Sequence, residues 1–355
     1  MFLVVSIALT AILLSLVHPI VVAMSTPTDA VSGTVTYLTI CFIGIPFITS
    51  YNIISSIFRG LGDSKSPMCF IATACAANIA LDYLFMGVLH LGPAGAALGT
   101  TLSQAISVVV SLTVILKRRS IVLKKSDFKP CRAVMGKILG IGIPIAFQDG
   151  LIQVAFIIIT IIANQRGLND AAAVGIVEKV ISFLFLVPSS MLSTVSALGA
   201  QNIGAGKPER AIQTLRYAVM LAAGFGVLAS IAIQFTAEGI VSLFTDPSTA
   251  DGAAVVRFGG QYLRGYIFDC IFAGIHFSFS GFFCACRKSG LSFLHNIFAI
   301  VLMRVPGVYV TSKLFPATLL PMGLATAAGS LLSVVICLIA FGVIRRKSTL
   351  VLVEE

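Results

Sequence analysis

The chain alternates long apolar runs with short polar loops. Ten runs are long enough to cross a hydrocarbon core of about 30 Å. Their limits are Met1–Met24, Val35–Phe58, Pro67–His90, Ala94–Leu116, Ile138–Ala163, Ala171–Val195, Ile212–Phe235, Phe258–Phe283, Ser289–Ser312 and Leu319–Val343. No train of short segments alternates apolar and polar residues, so a barrel is excluded, and lipid offers an open backbone no partners. The pattern predicts an all-α integral membrane protein of about ten transmembrane helices.

Composition sharpens this. Of 355 residues, 57% are apolar and 11% charged, and mean hydropathy is +1.02. A soluble enzyme, a disordered tail and a nucleic-acid-binding domain are all excluded. The net charge of +10 sits in the loops between apolar runs. Arg59/Lys65, the Lys117–Lys137 connector, Lys207/Arg210/Arg216, Arg287/Lys288 and Arg345/Arg346/Lys347 hold 18 of the 24 lysines and arginines. All fall on one side of the alternating topology, whereas Arg166, Arg257 and Lys313 fall on the other. The positive-inside bias makes the first group, and the C-terminus, cytoplasmic in a multi-pass protein of the cell membrane. The first run is too long for a cleavable leader and lacks a basic start.

The connector KRRSIVLKKSDFKPCRAVMGK is the longest polar stretch. It reads as a basic cytoplasmic linker, residues 117–137, between an N-terminal lobe of four helices (1–116) and a C-terminal lobe of six (138–345). Residues 346–355 form a cytoplasmic tail. A lipid-binding role for the linker stands beside this, since each basic residue near anionic lipid contributes about 1 kcal/mol.

The two lobes read as a repeat. Tyr37-Leu38 matches Tyr262-Leu263, Met24-Ser25-Thr26-Pro27 matches Phe244-Thr245-Asp246-Pro247, and Pro93–Ala97 matches Pro321–Ala325. Matching segments share a place in the charge topology, so the repeat is parallel. The spans from Ile138 to Val195 have no counterpart, which leaves four helices against six.

Four motifs carry a family resemblance: Arg59-Gly60-Leu61-Gly62-Asp63-Ser64-Lys65-Ser66-Pro67, Asn78-Ile79-Ala80-Leu81-Asp82-Tyr83, Gly95-Ala96-Ala97-Leu98-Gly99-Thr100 and Gln201-Asn202-Ile203-Gly204-Ala205-Gly206. Along essentially its whole length the chain resembles the multidrug and toxic compound extrusion (MATE) family of cation-coupled efflux transporters. The resemblance implies two six-helix lobes around a cavity exposed alternately to each side, and a chain lacking the first two helices. It also implies no enzymatic activity, no cofactor beyond a coupling H+ or Na+, drug-like cations as cargo, membrane lipids as surroundings, and a monomer without nucleic acid.

Ionisable residues inside spans are costly and therefore candidates for function. Asn78 and Asp82 are four apart on one helix face. Asp82 reads either as a coupling site or as a hydrogen-bonding structural residue; the resemblance implies the first, with an Asp on a helix absent here. Asp149 follows Pro144, flanked by Gln148 and Gln153, where a bent helix offers a carboxylate and amides to a cation. Glu178, Lys179, Asp269 and Arg304 complete a candidate polar cluster in the second lobe, to be read as a coupling and cargo site or as a closed salt-bridge network. Sodium-type relatives carry acids on the corresponding helices, but Asp269 is displaced by one turn and Ala273 stands at the matching position. Arg59, Asp63 and Lys65 form a gating or structural loop. His18, His90, His276 and His295 lack ligand spacing and read as packing residues, and Cys284-Ala285-Cys286 lacks the second pair a metal site needs.

Export of amphipathic cations by proton- or sodium-coupled antiport is the leading expectation. A lipid-linked oligosaccharide or polysaccharide flippase of the same superfamily is the alternative, with a more basic cavity to hold phosphates. An integral membrane transferase lacks its acid or histidine motif here.

Overall fold

The structure is a computed structural model that describes residues 2–23, 28–118 and 131–346. The chain divides into two compact units, Met1–Met135 and Gly136–Glu355. Among the described residues, nine spans are long and apolar enough to cross a membrane, with a shorter apolar helix at Phe2–Ser15.

The first unit holds α1 (Phe2–Ser15), α2 (Val17–Ala23), α3 (Thr28–Gly60), α4 (Lys65–Asp82), a π turn (Tyr83–Val88) and α5 (Gly92–Arg118). The first expected span is thus two short helices. Pro19 explains the break, because its ring clashes with the carbonyl four residues back, at Ser15, where α1 ends. Tyr51, Ile54 and Phe58 of α3, Phe70 of α4 and Ile115 of α5 form the core. Phe58 and Phe70 meet edge to face at 5.5 Å.

The second unit holds α6 (Arg132–Asn164), α7 (Leu168–Leu184), α8 (Leu186–Gly204), α9 (Pro208–Ser242), α10 (Ala250–Tyr266), α11 (Phe268–Ala285), α12 (Ser289–Ala299), a second π turn (Ile300–Arg304), α13 (Val305–Leu314) and α14 (Leu320–Arg346). The α10–α11 span is its central strut, with 72% of its apolar window buried against 39% for α14. The α10 and α14 backbones touch at Gly265 and Gly323, where a side chain on Gly265 would come within 2.5 Å of the Leu320 carbonyl.

Helix enters both ends of the expected linker: α5 runs to Arg118 and α6 begins at Arg132. Residues 119–130, the remainder of that stretch, lie outside the described residues, as does the tail beyond Arg346.

Three in-span prolines show one local solution. A proline lacks the N–H that would bond the carbonyl four residues earlier, and lipid cannot replace it. For Pro46 the freed oxygen is on Phe42, and Thr10 Oγ1 of α1 donates to it at 3.2 Å. For Pro144 it is on Gly140, and Ser289 Oγ of α12 donates at 3.1 Å. For Pro188 it is on Leu184, where α7 ends, and Cys270 Sγ of α11 donates at 3.9 Å. Each bend is thereby pegged to a neighbouring helix.

A buried arginine closes one end of the second unit. Arg166 pairs with Asp170 at 2.6 Å through Nε. Its other nitrogens donate to the carbonyls of Ser312 at 2.7 Å, Phe315 at 3.3 Å, Pro316 at 2.9 Å and Thr318 at 3.4 Å. This fastens the α6–α7 turn to the α13–α14 connection.

Candidate functional site

In the second unit the chemistry converges on Arg304. The π turn Ile300–Arg304 widens the helix and ends on this residue, a distortion that recurs at functional positions. Gly329 of α14 lets the helices close on it, since a Cβ there would lie 2.8 Å from Arg304 Cβ. Arg304 Nη2 donates to the Tyr266 hydroxyl at 2.7 Å and to Asp269 Oδ2 at 3.3 Å. The guanidinium also lies 5.3 Å from the ring centre of Phe156 and 5.8 Å from that of Tyr266. Asp269 has no exposed surface and Arg304 is 9% exposed, so this is a desolvated pair.

Glu178 joins from α7. It is half-buried, accepts from Thr160 Oγ1 at 3.3 Å, and lies within electrostatic reach of Arg304. The cluster therefore holds two carboxyl groups and one guanidinium, with the Lys179 ammonium also within electrostatic reach of Glu178. Lys179, one residue on and about 100° around the helix, is exposed and makes no ion pair among the described residues.

A cavity of about 50 Å³ opens beside the pair, lined by Phe156, Phe185, His276, Asn296, Arg304, Ser330 and Ser333 among others. Such a space admits a few water molecules, at roughly 10–15 Å³ of this measure apiece. Among the described residues, four buried polar atoms around this cluster have no hydrogen-bond partner: Asp269 Oδ1, Arg304 Nε, His276 Nδ1 and the Tyr262 hydroxyl.

The histidines read as packing residues take part in this network. His295 bonds Ser280 Oγ at 2.8 Å through Nε2 and Ser333 Oγ at 3.2 Å through Nδ1. His276 meets it edge to face, with ring centres 5.5 Å apart. Their only signal in the sequence was position: both are polar residues inside apolar spans.

Asp149 and Gln153 do not reach this network. On α6, Gln148 turns inward and its Oε1 accepts from Ser292 Oγ at 2.5 Å. Asp149, the next residue, is therefore rotated to the exposed face, where Gln153 also lies. Of the three expected acids, Asp269 and Glu178 lie at Arg304 and Asp149 lies on an exposed face of α6.

In the first unit, Asn78 and Asp82 lie one turn apart on α4, as their spacing requires, and Asp82 directly precedes the π turn Tyr83–Val88. Asn78 Nδ2 and Asp82 Oδ1 are buried without a hydrogen-bond partner. The Asp82 carboxyl lies in the space left by the missing side chain of Gly99 on α5, with Tyr37 of α3 in electrostatic range.

The loop residues act as helix punctuation. Asp63 accepts the backbone N–H of Ser66 at 3.0 Å and its hydroxyl at 2.5 Å, capping the first turn of α4. Arg59 donates to Ser56 Oγ at 3.0 Å, and Lys65 opens the helix.

A family model described as MatE matches residues 1–84 and 144–310. The probable multidrug resistance protein YpnP of Bacillus subtilis (strain 168) is 30% identical over 306 residues, 86% of this chain and 66% of that protein. A protein named FAD transporter, from Shewanella oneidensis, is 27% identical over 310 residues, 81% of this chain and 66% of that one. The chain thus spans just under two thirds of the length of these relatives. Among solved structures, a MATE protein in complex with MaL6 superposes with a TM-score of 0.89 at 20% identity, covering 98% of this chain and 77% of that one. An outward-facing multidrug resistance MATE family transporter gives 0.87 at 20% identity, over 98% of this chain and 78% of that one. With most of its length matched by the family model, the chain belongs to the MatE family of membrane transporters.

Proposed function

We propose that the chain serves secondary active export of amphipathic cations across the cell membrane, by alternating access coupled to entry of protons or sodium ions. The observation that carries this is the pairing of one buried guanidinium, Arg304, with two carboxyl groups, the buried Asp269 and the half-buried Glu178. Two carboxylates facing one guanidinium leave one negative charge in an apolar interior, where an uncompensated charge is costly. A proton or a monovalent cation offsets it, and the lobe arrangement favoured with that charge aboard differs from the one favoured without it. Asp82 supplies a second acid of the same kind in the first lobe. The multidrug-resistance names of relatives support the choice of cargo.

The test is export of a fluorescent cationic dye from liposomes under an imposed pH gradient and, separately, an imposed sodium gradient. One gradient is expected to drive export in the unaltered chain, and Glu178→Gln or Asp269→Asn to abolish that dependence. Export indifferent to both gradients overturns the reading.

A second reading, an exporter of phosphate-bearing cargo such as a lipid-linked oligosaccharide, draws on Arg304 at the cavity wall and on the relative named FAD transporter. Asp269 already engages that guanidinium, which weighs for cations.

A further inference from the structure

The Arg304–Asp269 contact is half made. Its one hydrogen bond, Nη2 to Oδ2, measures 3.3 Å, whereas charge-assisted bonds run at about 2.7–2.9 Å. The atoms beside it, Arg304 Nε and Asp269 Oδ1, are both buried and idle. Nε and Nη2 form one edge of the guanidinium, and the two carboxylate oxygens match that edge. A second bond, from Nε to Oδ1, would make the pair side-on and two-bonded.

A third unpartnered group lines the same cavity as Arg304. His276 is 4% exposed, lines the cavity, and keeps Nδ1 without a partner. His295 cannot serve in its place without disturbing a bond, because Ser280 and Ser333 engage both its ring nitrogens. The groups that act on His276 are the Arg304 guanidinium and the His295 imidazole, both from the ninth span. Around Arg304 in turn stand Asp269 on the same helix as His276, Tyr262 and Tyr266 of α10, and Glu178 of α7. The helices α8, α9 from 218 to 237 and α14 from 320 to 344, which also pack here, carry no charged side chain.

We propose that His276 is the proton acceptor of the second lobe, and that its charge drives Arg304 from the single contact into a side-on, two-bond pair with Asp269. This rests on the proton-coupled form of the function proposed above. Cavity water delivers the proton, which forms an N–H bond at Nδ1; release breaks the same bond and returns the proton to water. The imidazolium brings the cluster of Asp269, Glu178 and Arg304 to charge balance. It also places a cation on the cavity side of Arg304, and like charges push the guanidinium towards the carboxylate. The single contact seen here is the proton-free arrangement.

The experiment measures dye export by the full chain in liposomes between about pH 5 and 8, the range in which a histidine switch operates. A titrating group makes the rate change by up to about tenfold per pH unit. His276→Gln is expected to flatten this to less than about twofold across the range, and His295→Gln to retain the slope. If His276→Gln keeps the slope while Glu178→Gln loses it, the proton sits on the carboxylate: this proposal falls and the coupling reading stands. If both variants keep it, both fall. Should His276→Gln fail to fold, nitrogen-15 NMR of histidine side chains in the unaltered chain, assigned with His295→Gln, decides the matter. Protonation of His276 Nδ1 within the range supports the proposal, and an imidazole unprotonated throughout overturns it.

Discussion

The two units solve the same problem differently. In the repeat, the third span corresponds to the ninth, and each contains a π turn. In the first unit the turn follows an acid, Asp82, that pairs with no base among the described residues and whose Oδ1 has no hydrogen-bond partner. In the second it ends on a base, Arg304, that holds a buried acid from the neighbouring helix at 3.3 Å. The second acid is tied to a base from another helix. One unit thus leaves its acid without an ion partner among the described residues, and the other holds its acid in a pair.

The largest expected effect breaks the pair. Arg304→Met leaves Asp269 buried and unopposed, which costs about 3–5 kcal/mol; thermal unfolding in detergent reads the loss. Adding Asp269→Leu is expected to restore most of it, because the stranded charge goes too. In the first unit, Asp82→Asn moves the same transition by less than about 1 kcal/mol, there being no ion partner to strand. Equal losses in the two units would erase the distinction.

Gly99→Ala sharpens the comparison by moving the first-unit carboxylate without removing it. The added methyl overlaps the Asp82 carboxyl, the free end of a side chain, so that group shifts and the helices stay. Gradient-driven export is expected to fall by about tenfold, equivalent to about 1.4 kcal/mol, with the unfolding temperature nearly unchanged. Export at the unaltered rate would show that the placement of Asp82 does not matter.

Both units also peg a proline bend with a hydroxyl, Thr10 to the Phe42 carbonyl and Ser289 to the Gly140 carbonyl. Thr10→Val and Ser289→Ala each strand a carbonyl, and each is expected to cost about 1 kcal/mol. A double-mutant cycle across the two pegs is expected to be additive, since the sites share no partner.

The smallest effect lies in a loop. The turn before α4 has its left-handed position at Gly62, with φ 87°, and the turn before α12 places Arg287 there, at φ 56°. In both, the N–H of the following residue closes the same cap: Asp63 N–H donates to Phe58 O at 2.9 Å and Lys288 N–H to Phe283 O at 2.7 Å. Glycine adopts this conformation without the Cβ clash, so Arg287→Gly is expected to leave stability unchanged or to raise it by up to about 0.5 kcal/mol, measured by the same unfolding assay.

Much of this was legible in the sequence because lipid narrows the choices. Apolar runs of sufficient length have to be helices, and the four-residue spacing of Asn78 and Asp82 has to put them on one face. The facing of α6 was not legible: it is apolar nearly all round, so nothing said that Gln148 rather than Asp149 would turn inward. The histidines were missed for a related reason. His276 and His295 lie on different helices, and only packing sets their rings 5.5 Å apart beside Arg304. The split of the first span at Pro19, in contrast, follows from proline sterics that the sequence already displays.

The central proposal is that the cluster of Asp269, Glu178 and Arg304, with one more acid than base, takes up one positive charge to offset the difference. The most direct measurement is uptake of protons, or of radioactive sodium, by the full chain in liposomes as dye leaves. The account requires ion entry in a fixed ratio to dye export, lost in Glu178→Gln. Dye export with no accompanying ion entry, or with the same ion entry after Glu178→Gln, would contradict it.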